Sequence, residues 1–182
     1  MNKLKQYIFN YLHKKQEPRE PRFPHLDQPL KLMIIYESDV LERNDAIKSI
    51  RQELLRRHMD VTMWGYVAKK DIQTLILPQS RILGIDDYNW FGKPKDHVLT
   101  DLKTEHYDLL IDLTTHPCLP LRYIAMYTDA DFKVGMYLGE GIHDMLISLP
   151  DFSPEQGEDA GIESSWLFNQ IMTYLTTIQS KD

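Results

Sequence analysis

The sequence predicts an α/β fold: a doubly wound, mostly parallel sheet of the Rossmann-like three-layer type, preceded by an amphipathic helix. The prediction depends first on residues 107–138, which have the patterns of a strand, a short helix and a second strand. A continuous apolar run through 109–113 is typical of a strand covered on both faces. Apolar residues then recur at helical spacing over 121–128 and at alternate positions over 132–138. A crossover this short still closes a right-handed parallel unit.

The same periods recur along the chain, and strands that alternate with helices predict a sheet with helices on both faces. Further strands are predicted at 30–37, 60–68, 80–85 and 144–149, and further helices at 42–57, at 95–105 and from about Ser164. The residues predicted to face the core are Ala46, Ile47, Ile50, Leu54 and Leu55 in one helix, and Leu167, Ile171, Tyr174, Leu175 and Ile178 in the last. The pattern at 71–80 is ambiguous, and 150–162 is predicted as an acidic loop.

The first segment, residues 1–16, is predicted as an amphipathic helix. Its apolar residues recur at helical spacing opposite a lysine-rich face; they are Leu4, Tyr7, Ile8, Tyr11 and Leu12. We expect this stripe to pack on the same domain or on a second copy, because apolar stripes are usually buried. Docking on an anionic membrane surface is the alternative.

The second segment, residues 17–29, is predicted as a proline-rich tether to an α/β domain at 30–182. Four of the ten prolines lie at 18, 21, 24 and 29, which favours an extended, semi-rigid spacer. The repeated PxxP spacing also fits a ligand for a proline-binding domain. A plain tether is the more common use of such a segment.

Charge and cysteine content exclude several classes of protein. The net charge of −6 argues against a general nucleic-acid binder, although residues 1–22 carry six Lys or Arg against two Glu and the remainder therefore −10. Cys118 is the only cysteine, which excludes an internal disulfide and a thiolate zinc site. The sequence shows neither a membrane-spanning run nor a signal-peptide pattern, so we expect a cytoplasmic protein.

The loops that follow the strands decide which cofactors are expected, because ligands of such sheets bind beyond the carboxyl ends of the strands. The loop at 36–39 contains no glycine and two carboxylates. The dinucleotide fingerprint and the Walker phosphate loop therefore both fail at this position. We predict no cofactor. No zinc-protease helix, nucleophile elbow or histidine cluster appears in the sequence either.

The loop at 86–94 supplies most of the candidate ligand-binding residues, namely Asp86, Asp87, Asn89, Trp90 and Lys93. Trp90 suits stacking on a ring or sugar, and Lys93 suits contact with an anion. Gly92 is able to take the positive φ of a tight turn. In the structural alternative, Trp90 and Phe91 cap the end of the sheet and the polar residues face water.

Asp112 and His116 complete the candidate set. Asp112 lies in an apolar strand, so it needs a buried partner or a place at the strand's end. His116 and Cys118 fit a nucleophilic pair, but a lone cysteine is more often a small buried hydrophobe. The carboxylates near the strand ends match no metal motif, so no metal site is predicted; they are Glu37, Asp39, Asp86, Asp87 and Asp112.

Several segments resemble known proteins. They are YDLLIDLT at 107–114, LPLRYIA at 119–125, ADFKVG at 130–135, DYNWFGKP at 87–94 and DMLISL at 144–149. Together they resemble a small uncharacterised bacterial family, a domain of unknown function, over about residues 30–180, and this resemblance implies no activity. The stretch 107–135 is also similar to the N-terminal half of GT-B heptosyltransferases. Those enzymes need a second Rossmann-like half for the nucleotide sugar, so the likeness implies a related scaffold without transferase activity.

The sequence therefore favours a cytoplasmic Rossmann-like binding or interaction module without a recognisable catalytic motif. We expect residues 3–15 to contact a protein partner or a second copy, and the 86–94 loop to bind a small anionic ligand. Neither nucleic acid nor a membrane is an expected partner. The alternative is an enzyme that acts on a nucleotide, sugar or phosphorylated metabolite at the carboxyl ends of the strands, where Asn89, Lys93 and Asp112 line the site.

Overall fold

The chain folds into a six-stranded, all-parallel sheet with helices on both faces, as seen in a computed structural model that describes residues 3–38, 41–68, 80–138, 141–148 and 160–179. This architecture confirms the predicted fold class. The strands are β1 Lys31–Glu37, β2 Asp60–Tyr66, β3 Ser80–Leu83, β4 His106–Asp112, β5 Asp129–Met136 and β6 Met145–Ile147. The helices are α1 Lys3–His13, α2 Leu41–Arg56, α3 Asp96–Lys103, α4 Leu119–Tyr127 and α5 Ala160–Gln179, with a 3-10 turn at Ile85–Asp87.

The strand order, β3-β2-β1-β4-β5-β6, determines where a ligand can bind. β1 pairs with β2 on one side and with β4 on the other, and Ile35 of β1 lies opposite Asp112 of β4. The direction of strand succession reverses between β1 and β4, which is the usual position of the ligand crevice in such sheets. Asp112 therefore lies at the carboxyl end of a strand that borders this switch point.

Two apolar cores cover the two faces of the sheet. Alternate residues of β1 enter each core: Leu32 and Ile34 pack with α2 and α5, while Met33 and Ile35 pack with α1, α3 and α4. Both faces are buried, which explains why the strand sequences are continuously apolar. Because helices cover both faces, the sheet is open at the two ends of its strands.

The predicted buried faces of two helices were partly wrong. Leu55, Tyr174 and Ile178 are exposed. In α5 the face toward the sheet is completed by Phe168 and Met172, which lie on the other side of the 167–171–175 line from the two exposed residues. The helical spacing was predicted correctly, but the buried stripe of α5 is rotated toward Phe168 and Met172. The ambiguous segment 71–79, the loop 150–159 and Asp39 lie outside the described residues.

The predicted buried stripe of α1 was also partly wrong, although Leu12 packs against the core as expected. The residue that anchors this helix is Phe9, which is fully buried, packs edge-on against Tyr123 with ring centroids 4.9 Å apart and lies 4.5 Å from the Arg122 guanidinium. Leu4, Tyr7 and Tyr11 are exposed instead. The contacts of Phe9 with the Tyr123 ring and the Arg122 guanidinium therefore decide which side of α1 is buried most deeply.

Residues 17–29, predicted as a tether, contain neither helix nor strand but lie against the domain. Phe23 packs edge-on against Phe132 at 5.3 Å, and Pro24 is buried. The backbone N–H of Arg22 donates to the carbonyl of Asp131 at 3.0 Å. The Arg19 guanidinium donates to the carbonyls of Ala130 and Asp131 and pairs with the carboxylate of Asp144. We call residues 17–29 the strap. The division into three domain segments stays a prediction.

No helix among the described residues is long and apolar enough to cross a membrane.

Candidate functional site

An open cleft of about 760 Å³ lies at the carboxyl edge of the sheet, beside the 86–94 loop. Its wall includes the last residue of β2 and the residues that follow β3 and β4, so it occupies the edge where ligands of parallel sheets bind. We call it the aromatic cleft. It is lined by Lys5, Tyr66, Ile85, Asp86, Tyr88, Asn89, Trp90, Gly92, Lys95, Pro117, Leu119 and Pro120.

Asp87 fixes the base of the 86–94 loop. Its carboxylate accepts a hydrogen bond from the Gly84 backbone N–H at 2.8 Å and lies 3.2 Å from Nε2 of His97. A β-bridge between Tyr88 and Pro94 then closes the loop. Asp87 therefore holds the loop in shape and does not line the cleft.

The tip of the loop is a closed turn between Asn89 and Lys93. The Asn89 backbone N–H donates to the Lys93 carbonyl at 2.9 Å, and its side-chain Oδ1 accepts from the Lys93 N–H at 3.0 Å. Gly92 has φ +91°, which a side chain would strain, and a Cβ there would lie 3.3 Å from Leu119. The turn leaves Trp90 with 67% of its surface exposed at the rim of the cleft.

Two tyrosines form the inner wall. The rings of Tyr66 and Tyr88 meet edge-on at 5.4 Å. Burial raises the pKa of both phenols, so both stay neutral hydrogen-bonding groups in the physiological range. The hydroxyl of Tyr88 is buried without a hydrogen-bond partner among the described residues. A neutral wall of this kind suits contact with a ring and does not repel an anion.

The charge of the cleft comes from two lysines that are distant in sequence. Lys5 of α1 and Lys95 at the N-cap of α3 both line it, against the single carboxylate of Asp86. Lys93, the lysine predicted to meet an anion, points elsewhere: its Nζ lies 5.9 Å from the ring centre of Tyr127. The first turn of α4 also borders the cleft and contributes the positive end of the helix dipole.

A second group of polar residues lies at the end of β4. Asp112 is 3% exposed; its carboxylate accepts from the Thr114 backbone N–H at 2.9 Å and lies 3.0 Å from Nε2 of His143. The side chain of His143 is 7% exposed. Gly135 makes room for the pair, because a Cβ there would lie 2.9 Å from both Asp112 Cβ and His143 Nε2. The expectation that Asp112 has a buried partner at a strand end is thus confirmed.

His116 belongs to a third contact in the same loop. Its Nδ1 lies 3.0 Å from the hydroxyl oxygen of Thr115, which in turn donates to the carboxylate of Glu163 at 3.0 Å. Because that hydroxyl donates its only proton to Glu163, His116 Nδ1 donates to it. Cys118 is buried at the N-cap of α4. The imidazole is thus held toward α5, which gives no support to a nucleophilic pair with Cys118.

Sequence comparison assigns the chain to a family. A model of a family of unknown function, DUF6913, matches residues 2–156. The chain belongs to DUF6913. No curated protein and no solved structure matches it. The likeness to GT-B heptosyltransferases and the bacterial origin stay predictions.

The extent of the DUF6913 match differs from the expected range of about 30–180. It begins at residue 2 and therefore includes α1 and the strap, but it ends at 156, before α5. The contacts of Phe9 with α4 and of Arg19 with β5 agree with a family unit that includes the N-terminal segment.

The structure gathers only some of the predicted site residues of this DUF6913 chain. Asp86, Asn89 and Trp90 line the aromatic cleft. Asp87 and Lys93 belong to the same loop but face other contacts, and Asp112 and His116 belong to the β4–α4 region. Within the described ranges, no three His, Cys, Asp or Glu side chains are arranged to hold a metal ion.

Sequence reasoning missed the two tyrosines and two lysines that line the cleft, namely Tyr66, Tyr88, Lys5 and Lys95. Tyr66 ends β2, so its place at the carboxyl edge was accessible to the argument that identified the loops. Lys95 lies two residues after Lys93, and only the turn at Gly92 decides which of them faces the cleft. Lys5 carried no local signal, because its position depends on how α1 docks on α4.

Proposed function

We propose that this protein binds a small anionic molecule that carries an aromatic or sugar ring, in the aromatic cleft. The observation that carries the proposal is the exposed indole of Trp90 beside an open cleft with two lysines. A large aromatic side chain held at 67% exposure by a closed turn is already positioned for stacking. Lys5 and Lys95 complement the negative charge of a phosphate or carboxylate.

A thermal-shift screen of the full chain tests this proposal, with nucleotides, nucleotide sugars and sugar phosphates as the probes. A ligand at about 100 times its dissociation constant adds roughly 2.7 kcal/mol to the free energy of unfolding. Trp90→Ala should weaken binding about tenfold, since stacking on a base contributes roughly 1–3 kcal/mol. Lys95→Ala should weaken binding of the anionic probes.

The matched control is Lys93→Ala, which removes a lysine two positions away that contacts Tyr127 and does not line the cleft. It should leave the ligand-induced shift unchanged. A shift that persists in Trp90→Ala and Lys95→Ala would place the ligand elsewhere on the molecule, and the absence of a shift with every probe would remove support for a small-molecule site.

An enzyme acting on a nucleotide, sugar or phosphorylated metabolite is the second candidate, and the Asp112–His143 pair favours it. A buried carboxylate that holds one imidazole nitrogen orients the ring for proton transfer at the other. His143 also lines a second cleft, of about 680 Å³, between the strap and α4. Asp112 acts in this proposal as a positioning residue, because it contacts His143 and not the substrate.

The enzyme proposal predicts that Asp112→Asn lowers turnover of phosphate esters at least a hundredfold, the usual contribution of a positioned acid or base. Asp131→Asn is the control, because Asp131 is a carboxylate that also contacts a histidine, His106, but does not line the second cleft. Equal activity in both variants would exclude this role for Asp112.

We also propose a cytoplasmic location. The support is that the chain has a single cysteine, Cys118, and so forms no disulfide within itself, as is usual for proteins of reducing compartments.

A further inference from the structure

Helix α1 leaves three of its large apolar and aromatic side chains exposed to solvent. Leu4, Tyr7 and Tyr11 are exposed by 51%, 69% and 49%, whereas the side toward the domain buries only Phe9 completely. The flanks carry Gln6 and Asn10, whose side chains hydrogen-bond each other at 2.7 Å. The predicted stripe is therefore only partly buried: Leu12 packs on the core, whereas Leu4, Tyr7 and Tyr11 are exposed on the outward face.

The segment that carries this stripe contains no acidic residue. Residues 1–16 contain four lysines and no Asp or Glu, and Lys3, Lys14 and Lys15 are exposed at the two ends of the stripe. Lys15 Nζ lies 4.5 Å from the ring centre of Tyr11, so cationic and aromatic groups form one surface. This segment therefore carries a charge of +4, and the first carboxylate of the chain is Glu17, at the start of the strap.

A second copy of the chain does not complement this surface. Pairing two α1 helices antiparallel brings Lys3 of one copy near Lys14 and Lys15 of the other, and the helix offers no carboxylate to neutralise them. A groove on another protein fits poorly as well. Phe9 holds the helix flat on α4, so only a shallow ridge of three side chains is available, whereas a helix in a groove buries a much larger part of its circumference.

We propose that the outward face of α1 docks on an anionic lipid surface. Tyrosine is favoured at the membrane interface, where its ring is apolar and its hydroxyl hydrated. Leu4, Tyr7 and Tyr11 enter the interfacial layer, and the lysines at both ends meet lipid phosphates and carboxylates. The helix lies in the plane of the surface, and the domain stays in water. This inference is independent of the ligand proposed for the aromatic cleft.

Co-sedimentation of the purified full chain with vesicles tests the inference, with phosphatidylcholine vesicles compared with vesicles that also contain phosphatidylserine. The expected result is binding to the phosphatidylserine vesicles only, weakened by added salt. Lys14→Gln/Lys15→Gln should lower partitioning roughly 30-fold, because each lysine near an anionic surface contributes roughly fivefold. Tyr7→Ala/Tyr11→Ala should lower it as well, without a fall in melting temperature.

Matched controls lie on the opposite face of the sheet, which α2 and α5 cover. Tyr174→Ala removes a tyrosine of the same 49% exposure as Tyr11, and Lys48→Gln removes an exposed lysine. Both should bind vesicles like the unchanged chain. The inference is overturned by failure to bind phosphatidylserine vesicles at low salt, or by equal losses in the Tyr174 and Tyr7/Tyr11 variants. A dimer that disappears in Tyr7→Ala/Tyr11→Ala would also overturn it, in favour of a second copy.

Discussion

Lys133 is a residue whose charge opposes folding. Its side chain is 4% exposed, and its ammonium group donates to the carbonyl of Ala125 at 2.7 Å and lies 3.5 Å from that of Met126, at the end of α4. Burial lowers the pKa of Lys133 to about 8, with a further contribution from the nearby Arg19 guanidinium. Helix carbonyls stabilise the cation, but they do not replace its lost hydration.

This pKa gives the stability of the fold a defined pH dependence. Since the folded pKa of about 8 lies below the ordinary 10.5, the unfolded chain binds more protons between these values, and the free energy of unfolding rises with pH across that window. Below about pH 8 the full penalty is present, about 3 kcal/mol at roughly 1.4 kcal/mol per pKa unit. The hydrogen bonds to the α4 carbonyls offset part of it.

Lys133→Met should therefore stabilise the protein at pH 7 by about 1–2 kcal/mol, with a gain that shrinks as the pH approaches 10. Urea denaturation of both proteins at several pH values between 7 and 10 measures this difference. Lys48→Met, at an exposed position on α2, controls for the loss of one positive charge. A difference between Lys133→Met and the unchanged chain that stays constant with pH would contradict the assigned pKa.

At the scale of elements, the sequence predicted which helices and strands form better than it predicted which side of each helix is buried. β1 and β4 were found because a strand covered on both faces must be apolar at nearly every position, and this requirement leaves an unmistakable run. The side of a helix that is buried depends on its neighbour. In α1 the deciding contact is between Phe9 and Tyr123, separated by more than a hundred positions, and no local period contains it.

The packing of the strap could not be predicted from its sequence either. Its prolines predicted an extended chain, and the segment contains neither helix nor strand, because proline disrupts regular hydrogen-bonded structure. Whether such a segment spans a gap or lies on a surface is decided by single anchors. Here they are the Arg19 guanidinium, which bonds two carbonyls of β5, and Phe23 against Phe132. Nothing in the local sequence around Arg19 or Phe23 distinguishes these anchors from the exposed residues of a linker.

For the whole molecule, the class of fold and the edge that carries the candidate site could be predicted, but the composition of the site could not. Parallel strands place their carboxyl ends together, which led to the 86–94 loop and to Asp112. The aromatic cleft, however, combines that loop with Lys5 of α1, Tyr66 of β2 and the start of α4. The position of Lys5 depends on how α1 packs on the rest of the domain, so no local sequence pattern could predict that it lines the cleft.

The role of the N-terminal segment leads to a prediction for the entire fold. A chain that begins at residue 30 loses the Phe9 contact with α4 and the strap contacts with β5, and it exposes apolar surface that they cover. Truncation of one buried phenylalanine alone costs about 3–5 kcal/mol. The shortened chain should therefore unfold at a clearly lower urea concentration than the full chain.

Phe9→Ala and Tyr7→Ala in the full chain separate packing from length in this experiment. Phe9 is completely buried and Tyr7 is exposed on the same helix, so only the first substitution should reduce the free energy of unfolding substantially. If the shortened chain and Phe9→Ala both matched the full chain in stability, residues 1–29 would be an independent appendage. A large loss in both would make α1 and the strap structural parts of one domain, in agreement with a family match that starts at residue 2.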